Sequence, residues 1–284
     1  MSISAPLLQQ FISSALLEDL GEGDHSTLSC IDKNAQGSAE LIIKQKGILA
    51  GVAVAEQIFL YQDKNITFFK LKEDGAEMQP GERAFKVNAQ IHTILQCERL
   101  VLNCMQRMSG IATLTHQYIQ KLAPYHTNLL DTRKTTPNFR LLEKEAVKIG
   151  GGMNHRFGLY DMIMLKDNHI DYCGSIQKAI LLAHEYVQKV KPGIKIEVET
   201  RSLKEVEEVM STGKIQRIML DNFSPDEIRS ALLLINGKYE TEASGGINLN
   251  NIEEYAATGV DYISSGAIIH QAASLDLSLK AVIL

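Results

Sequence analysis

Six short β-rich segments divide the chain after Pro124 and constrain its fold more than any other feature. They are TNLLDT, MIMLKD, KIEVET, RIMLDN, the weaker YETEAS and DYISSGA, with helix-patterned stretches between them. Two of those helices carry start signals. Ser202 followed by Glu205 is a capping box, and Ser224-Pro225-Asp226-Glu227 supplies a cap, an N1 proline and an acidic first turn. Strand alternating with helix at intervals of roughly 20 to 35 residues predicts βα units and a parallel sheet. Each β segment also ends, at its carboxyl end, in a chemically capable group. These groups are Asp131 with Arg133 and Lys134, Lys166 with Asp167, Glu199, Asp221, Ser244 with Gly245 and Gly246, and Ser265 with Gly266. In a barrel of parallel strands those ends converge on one face, where active sites lie. A doubly wound dinucleotide fold would instead show a GxGxxG turn after its first strand, and none is present. Six units fall short of eight, so the expected barrel is incomplete.

The amino-terminal part has a different texture. A helix is expected over residues 7–17, then a polar loop over 18–29. Residues 37–55 hold β-favouring pieces, AELIIK and GILAGVAVA, broken by Gly47 and Gly51. Alternation continues through ITFFKLKEDGAEMQPGERAFKV with turn dipeptides at Asp74-Gly75 and Pro80-Gly81, so strands joined by tight turns follow. From residue 98 the period changes to helical, and 98–122 reads as one long amphipathic helix with Arg99, Asn103 and Arg107 on its polar face.

Bulk properties exclude several classes. At 284 residues there is room for one large domain or two modest ones. No run approaches the roughly 18 apolar residues that would cross a bilayer, so no membrane association is expected. The amino terminus has no basic region of the kind a secretory signal needs. Cys30, Cys97, Cys104 and Cys173 are scattered without metal or disulfide spacing, which fits reduced thiols and a cytoplasmic location. A net charge of -5 with no basic tail argues against a nucleic-acid partner.

Against that acidic background, residues 131–170 gather Arg133, Lys134, His155, Arg156, Lys166 and His169 around a Gly-Gly-Gly. Guanidinium forks and ammonium groups at this density suit a small, multiply anionic ligand bearing carboxylates or phosphates. Glu199 and Asp221 end successive strands and suit the opposite task. They can hold Mg²⁺ shared with substrate phosphates, accept hydrogen bonds from ribose hydroxyls, or stabilise an oxocarbenium-like centre. A plain ion pair between Glu199 and Lys166, neutralising both, is the competing reading. Ser244-Gly245-Gly246 and Ser265-Gly266-Ala267 are small-residue turns on the last two strands, the usual phosphate position in a barrel. His116, His126, His184 and His270 lack partners at catalytic spacing.

Taken together, DTRKTTP, GGGMNHRFGLYDMIMLKDNHI, IEVE, LDN, EASGGI and GVDYISSG resemble the quinolinate phosphoribosyltransferase (decarboxylating) family. The resemblance is collinear from the LLEDLGEGDHST segment to Gly266. It implies an N-terminal α/β sandwich domain over 1–110, an incomplete α/β barrel over 111–270, and a segment, 271–284, packing back on the first domain. It implies a homodimer with shared active sites, possibly a higher oligomer, acting on quinolinate and 5-phosphoribosyl-1-pyrophosphate with Mg²⁺. Carried over by position, Arg99 would reach into the neighbouring protomer's site. Thr132, Arg133, Lys134, His155, Arg156 and Lys166 would bind quinolinate's carboxylates and the substrate phosphates. Glu199 and Asp221 would face ribose and metal, and Lys134, Lys166, Glu199 and Asp221 would form the catalytic set. Ser244, Gly245, Gly246, Ser265, Gly266 and Ala267 would hold the 5-phosphate. Two departures stand out: Asn138 where the family often has Gly, and Ile268-Ile269-His270-Gln271 where a THS-like ending is common.

Overall fold

The computed structural model describes residues 4–282. Along the chain, helix α1 (Ala5–Leu20) and the short α2 (His25–Cys30) precede strand β1 (Gln36–Ile43) and β2 (Gly47–Ile48). Helix α3 (Val52–Gln62), β3 (Thr67–Lys70), β4 (Glu77–Met78) and β5 (Arg83–Gln90) follow, and β5 runs directly into the long α4 (Ile91–Leu122). Next come β6 (Asn128–Leu130), α5 (Arg140–Ile149), β7 (Ile163–Leu165), α6 (Asp167–Cys173) and α7 (Ile176–Lys189). Regular alternation then takes over: β8 (Ile196–Thr200), α8 (Leu203–Thr212), β9 (Arg217–Asp221), α9 (Pro225–Ile235), β10 (Glu240–Ser244), α10 (Ile252–Ala256) and β11 (Tyr262–Ser264). The short α11 (Ala267–His270) and β12 (Leu277–Ala281) close the described chain.

Two compact units form. One takes the chain up to His116, Thr135–Gly151 and the residues from Ile268; the other takes Gln117–Lys134 and Gly152–Ala267. In the first unit an antiparallel sheet runs in the order β12-β1-β5-β3, so the carboxyl-terminal strand pairs with β1. Phe59, Phe68 and Phe85 cluster within the same unit, the last two with ring centroids 4.6 Å apart.

Two expectations fail here. The polar loop expected over 18–29 holds the end of α1 and all but the last residue of α2, which starts where the Asp24 carboxylate accepts the Thr27 amide at 3.1 Å. Val52–Ala55, read from sequence as β-favouring, opens helix α3. Gly51 adopts φ +100°, which only a residue without Cβ takes easily, and Asp74 caps the helix from a distant loop. Its carboxylate accepts the Val52 and Ala53 amide hydrogens at 2.8 and 3.2 Å. A cap from residue 74 leaves no local mark, and β-branched residues tolerate a helix when tertiary contacts support it. Helix α4 also begins earlier than expected, at Ile91. Arg107, placed on its polar face, proves structural. It donates to Glu143 from Nε and Nη2 at 3.1 and 2.9 Å, and to the carbonyls of Ala272 and Ile269 at 2.6 and 2.8 Å.

Burial pushes the Cys97 and Cys104 thiols up to about 12, whereas Cys30 is exposed. Thiolate is the reactive species. Iodoacetamide on the native protein is therefore expected to label Cys30 and to spare both buried thiols until denaturant is added. Labelling of Cys97 or Cys104 at the rate of Cys30 would contradict this packing.

In the second unit, six parallel strands run in the order β6-β11-β10-β9-β8-β7. That is chain order around a ring, opened between β6 and β7, as expected for an incomplete barrel. The register pairs Glu197 with Arg217, Glu199 with Met219, Met219 with Glu242, and Asp221 with Ser244. Alternate residues of a strand share a face, so Glu197, Glu199, Arg217, Asp221, Glu242 and Ser244 all lie on one side of the sheet. Branched aliphatic side chains ordinarily dominate a barrel interior. Here much of that side is charged.

Candidate active site

The second unit brings its expected groups to one end. Arg133 and Lys134 follow β6 on an exposed turn, where the Lys134 amide donates to Thr132 Oγ1 at 3.0 Å. Lys166 follows β7 and caps α6, its amide donating to His169 Nδ1 at 3.0 Å. Glu199, 8 % exposed, ends β8, and Asp221 ends β9. Ser244 ends β10, and Ser265 follows β11.

The pairing between Lys166 and Glu199 is present: Nζ lies 3.0 Å from Glu199 Oε2. It ties the ends of β7 and β8 and orients the ammonium over the sheet end. Arg156 is half-buried, and its Nη1 donates to the Met162 carbonyl at 3.2 Å. Burial, and then the like charge of Arg133, pull its pKa below the ordinary guanidinium value. Two guanidinium groups near enough to oppose each other's charge form a ready receptor for an anion bearing more than one negative oxygen.

His155 turns inward. Its ring Nε2 lies 2.9 Å from Glu197 Oε2 and 3.3 Å from Glu242 Oε2, with both glutamates fully buried. Burial lowers its pKa and the two carboxylates raise it, while the Arg156 amide, donating to Nδ1 at 2.6 Å, requires that nitrogen unprotonated and so holds the ring in the neutral Nε2–H form against the carboxylates' pull. Burial and the neighbouring Glu242 charge push Glu197 up to about 7. Glu242 moves the other way. Burial would raise its pKa, yet hydrogen bonds from His155 and Ser264 and the charge of Arg217 hold it below the carboxylate range. Arg217 donates from Nη1 to Glu242 at 2.9 Å and from Nη2 to Glu240 at 3.0 Å, and lies over the Tyr262 ring at 4.1 Å.

Glu197, Arg217 and Glu242 were not singled out from sequence, although a signal exists. In IEVE and ETEAS a charged or polar residue recurs every second position, and RIMLD opens and closes on a charge with Met219 between. Strands buried on both faces usually read as unbroken apolar runs, so this alternation marks a polar interior. Asp131, grouped from sequence with the chemical residues, is fully buried and accepts the His155 amide at 2.8 Å.

The two small-residue turns are linked. Ser265 Oγ donates to the Ile247 carbonyl at 2.8 Å, and its amide donates to the Leu130 carbonyl at 3.1 Å. Ser265 thus spends its donors on the scaffold. Gly245 and Gly246 have φ of +95° and +65°. Asn222, itself at φ +59°, donates from Nδ2 to Asp221 Oδ2 at 2.6 Å and packs its Oδ1 where a Cβ on residue 245 would stand. Gly245→Ala is therefore expected to destabilise the protein by about 1–3 kcal/mol, read from the urea midpoint. An unchanged midpoint would show that the loop accommodates the methyl group. Asn138, in the other unit, sits at φ +62°, a left-handed backbone that Asn tolerates better than most residues; this accounts for Asn where the family often has Gly.

Fold and site define an open parallel barrel whose carboxyl face joins clustered cations to paired carboxylates, an architecture for a small polyanion. The chain belongs to the quinolinate phosphoribosyl transferase family: the model of the family's N-terminal domain matches residues 24–109 and that of its C-terminal domain residues 111–280. It is 43% identical over 288 residues to quinolinate phosphoribosyltransferase [decarboxylating] 1b of Nicotiana tabacum, covering 96% of this chain and 82% of the relative. It is 40% identical to the probable nicotinate-nucleotide pyrophosphorylase [carboxylating] of Bacillus subtilis, covering 97% and 94%. Among solved structures, NadC from Streptococcus pyogenes superposes with a TM-score of 0.92 at 40% identity, covering 100% of this chain and 99% of that one.

Proposed function

We propose that this protein transfers the phosphoribosyl group of 5-phosphoribosyl-1-pyrophosphate to quinolinate and releases CO₂, giving nicotinate mononucleotide and pyrophosphate for NAD synthesis. The observation that carries this reading is the placing of Arg133 and Lys134 just after β6 and of Lys166, paired with Glu199 at 3.0 Å, just after β7, at the carboxyl end of an open parallel barrel of this family. Quinolinate carries two carboxylates; nicotinate carries one and needs fewer cations. Arg133, Arg156 and Lys166 take the carboxylates, with Thr132 and Lys134 completing the acid and phosphate contacts; His155, which the resemblance places among these contacts, is buried with its ring nitrogens facing Glu197, Glu242 and the Arg156 amide, and stands behind Arg156 instead. The small-residue turns at Ser244–Gly246 and at Gly266 and Ala267 take the 5-phosphate, while Ser265, expected among these contacts, serves the scaffold through Ile247 and Leu130. Held this way, the pyridine nitrogen faces ribose C1 and attacks it as pyrophosphate leaves. Positioning and fixed charge lower the barrier, with Glu199 and Asp221 facing the electron-poor ribose. The pyridinium then stabilises the carbanion left at C2 when the 2-carboxylate departs as CO₂, and a proton from solvent takes that electron pair to give the product.

Glu199 and Asp221 fit a magnesium ion. They end adjacent strands on one face, and the ion pair with Lys166 engages Glu199 through Oε2. When bound, Mg²⁺ shares these carboxylates with the substrate phosphates and offsets their charge. A homodimer with shared sites, in which exposed Arg99 serves the neighbouring protomer, and a cytoplasmic location complete the proposal. No helix among the described residues is long and apolar enough to cross a membrane.

The decisive assay incubates the protein with quinolinate, 5-phosphoribosyl-1-pyrophosphate and Mg²⁺ and measures nicotinate mononucleotide with CO₂. Product that requires both substrates supports the proposal, and turnover of nicotinate instead would overturn it. Site sharing has its own test. Mixing inactive Arg99→Ala and inactive Glu199→Ala proteins is expected to restore about a quarter of the activity, because random exchange leaves one intact site in each mixed dimer. No recovery after confirmed exchange would refute sharing.

A further inference from the structure

The interior charge layer has no part in the reaction described above. Arg217, Glu197, Glu242 and His155 are all buried, and taking such groups from water is costly even when they pair. Well-packed apolar side chains would hold a barrel interior equally well or better. Their presence points to a task other than stability.

The geometry identifies that task. His155 is held at three points: its amide donates to Asp131 Oδ1 at 2.8 Å, its ring Nδ1 accepts the Arg156 amide at 2.6 Å, and Nε2 faces Glu197 and Glu242 at 2.9 and 3.3 Å. Those anchors stand at the end of β6, on β8 and on β10. Nδ1 accepts in the Nε2–H tautomer, which leaves Nε2–H to donate to a glutamate. A ring fixed in this way locks the peptide that launches Arg156. We propose that Glu197 and Glu242 are positioning residues that, through His155, hold Arg156 in the orientation that receives a substrate carboxylate. This rests on the reading of Arg156 as a quinolinate contact.

A metal site is the rival use of the same side chains, since His155, Glu197 and Glu242 offer ligand atoms within 4.8 Å of one another. Two observations oppose it. Nε2 stands 2.9 Å from Glu197 Oε2, closer than the roughly 3.3 Å between ligands about a tetrahedral ion with 2.0 Å bonds, a separation that only its contact to Glu242 matches. Arg217 also already supplies a positive charge to Glu242.

Calorimetric titration of quinolinate into the full chain, with steady-state kinetics, tests the proposal on Glu242→Gln, Glu197→Gln, Glu240→Gln and Arg156→Ala. The two interior variants are expected to weaken quinolinate Kd and KM by roughly tenfold or more, with KM for the phosphoribosyl donor within about twofold. Glu240→Gln perturbs Arg217 without touching His155 and should leave quinolinate affinity unchanged. Should Glu242→Gln fail to fold, Glu197→Gln decides alone. Weak binding by Arg156→Ala with normal binding by both interior variants overturns this inference and spares the site assignment. Normal binding by Arg156→Ala overturns the assignment itself, and the inference with it. Stoichiometric zinc or manganese that survives EDTA dialysis, measured by plasma mass spectrometry, would replace positioning with a metal site.

Discussion

Replacing Arg133 and Arg156 together with alanine is expected to lower kcat/KM for quinolinate by roughly a hundred- to ten-thousandfold. Each guanidinium removed from a carboxylate forfeits about 1.5–3 kcal/mol, and each 1.4 kcal/mol is tenfold. The free protein should be affected far less. Loss of both guanidinium groups relieves their mutual repulsion but also removes the Arg156 donation to Met162 and its attraction to Glu197 and Asp161, so the effects offset. Thermal stability is therefore expected to change little while activity collapses. That divergence separates an anion receptor from a structural pair. A loss of less than tenfold in kcat/KM at saturating phosphoribosyl donor would remove these residues from the site.

The second large effect lies away from the chemistry. Arg107→Met is expected to destabilise the protein by about 3–5 kcal/mol, because it strands the Glu143 carboxylate, whose side chain is 0% exposed. Glu143 also accepts from the Thr136 amide at 2.8 Å and from Thr136 Oγ1 at 3.0 Å, so the pair anchors the loop after the DTRKTTP turn. The carbonyls of Ile269 and Ala272 lose their donors as well. Urea unfolding with an unchanged slope would give the loss directly. The double variant Arg107→Met/Glu143→Leu should recover most of it, since no charge is then stranded and exposed Thr136 can turn to water. A single-variant loss under about 1 kcal/mol would mean that water already serves Glu143.

Arg107 also shows where sequence reading stopped. On helical spacing it belongs with Arg99 and Asn103, and both of those are exposed as expected. Only the approach of residues 143, 269 and 272, far along the chain, turns Arg107 inward. Val52–Ala55 failed for the same reason, because its cap comes from Asp74. His155 carries the lesson into the site. Its neighbours in sequence are cationic and polar, whereas its neighbours in space are two buried carboxylates.

The alternation of strand and helix after Pro124, the open ring of six, and the position of Lys166, Glu199 and Asp221 at strand ends were legible from residue patterns. Periodicity and capping are local, and in a parallel barrel every strand end must face the same way. Which charges face substrate and which face each other was decided only by the tertiary structure. Pairing between Glu197, Arg217 and Glu242 depends on strand register across the sheet, and a shift of one residue would turn every one of them to the other face.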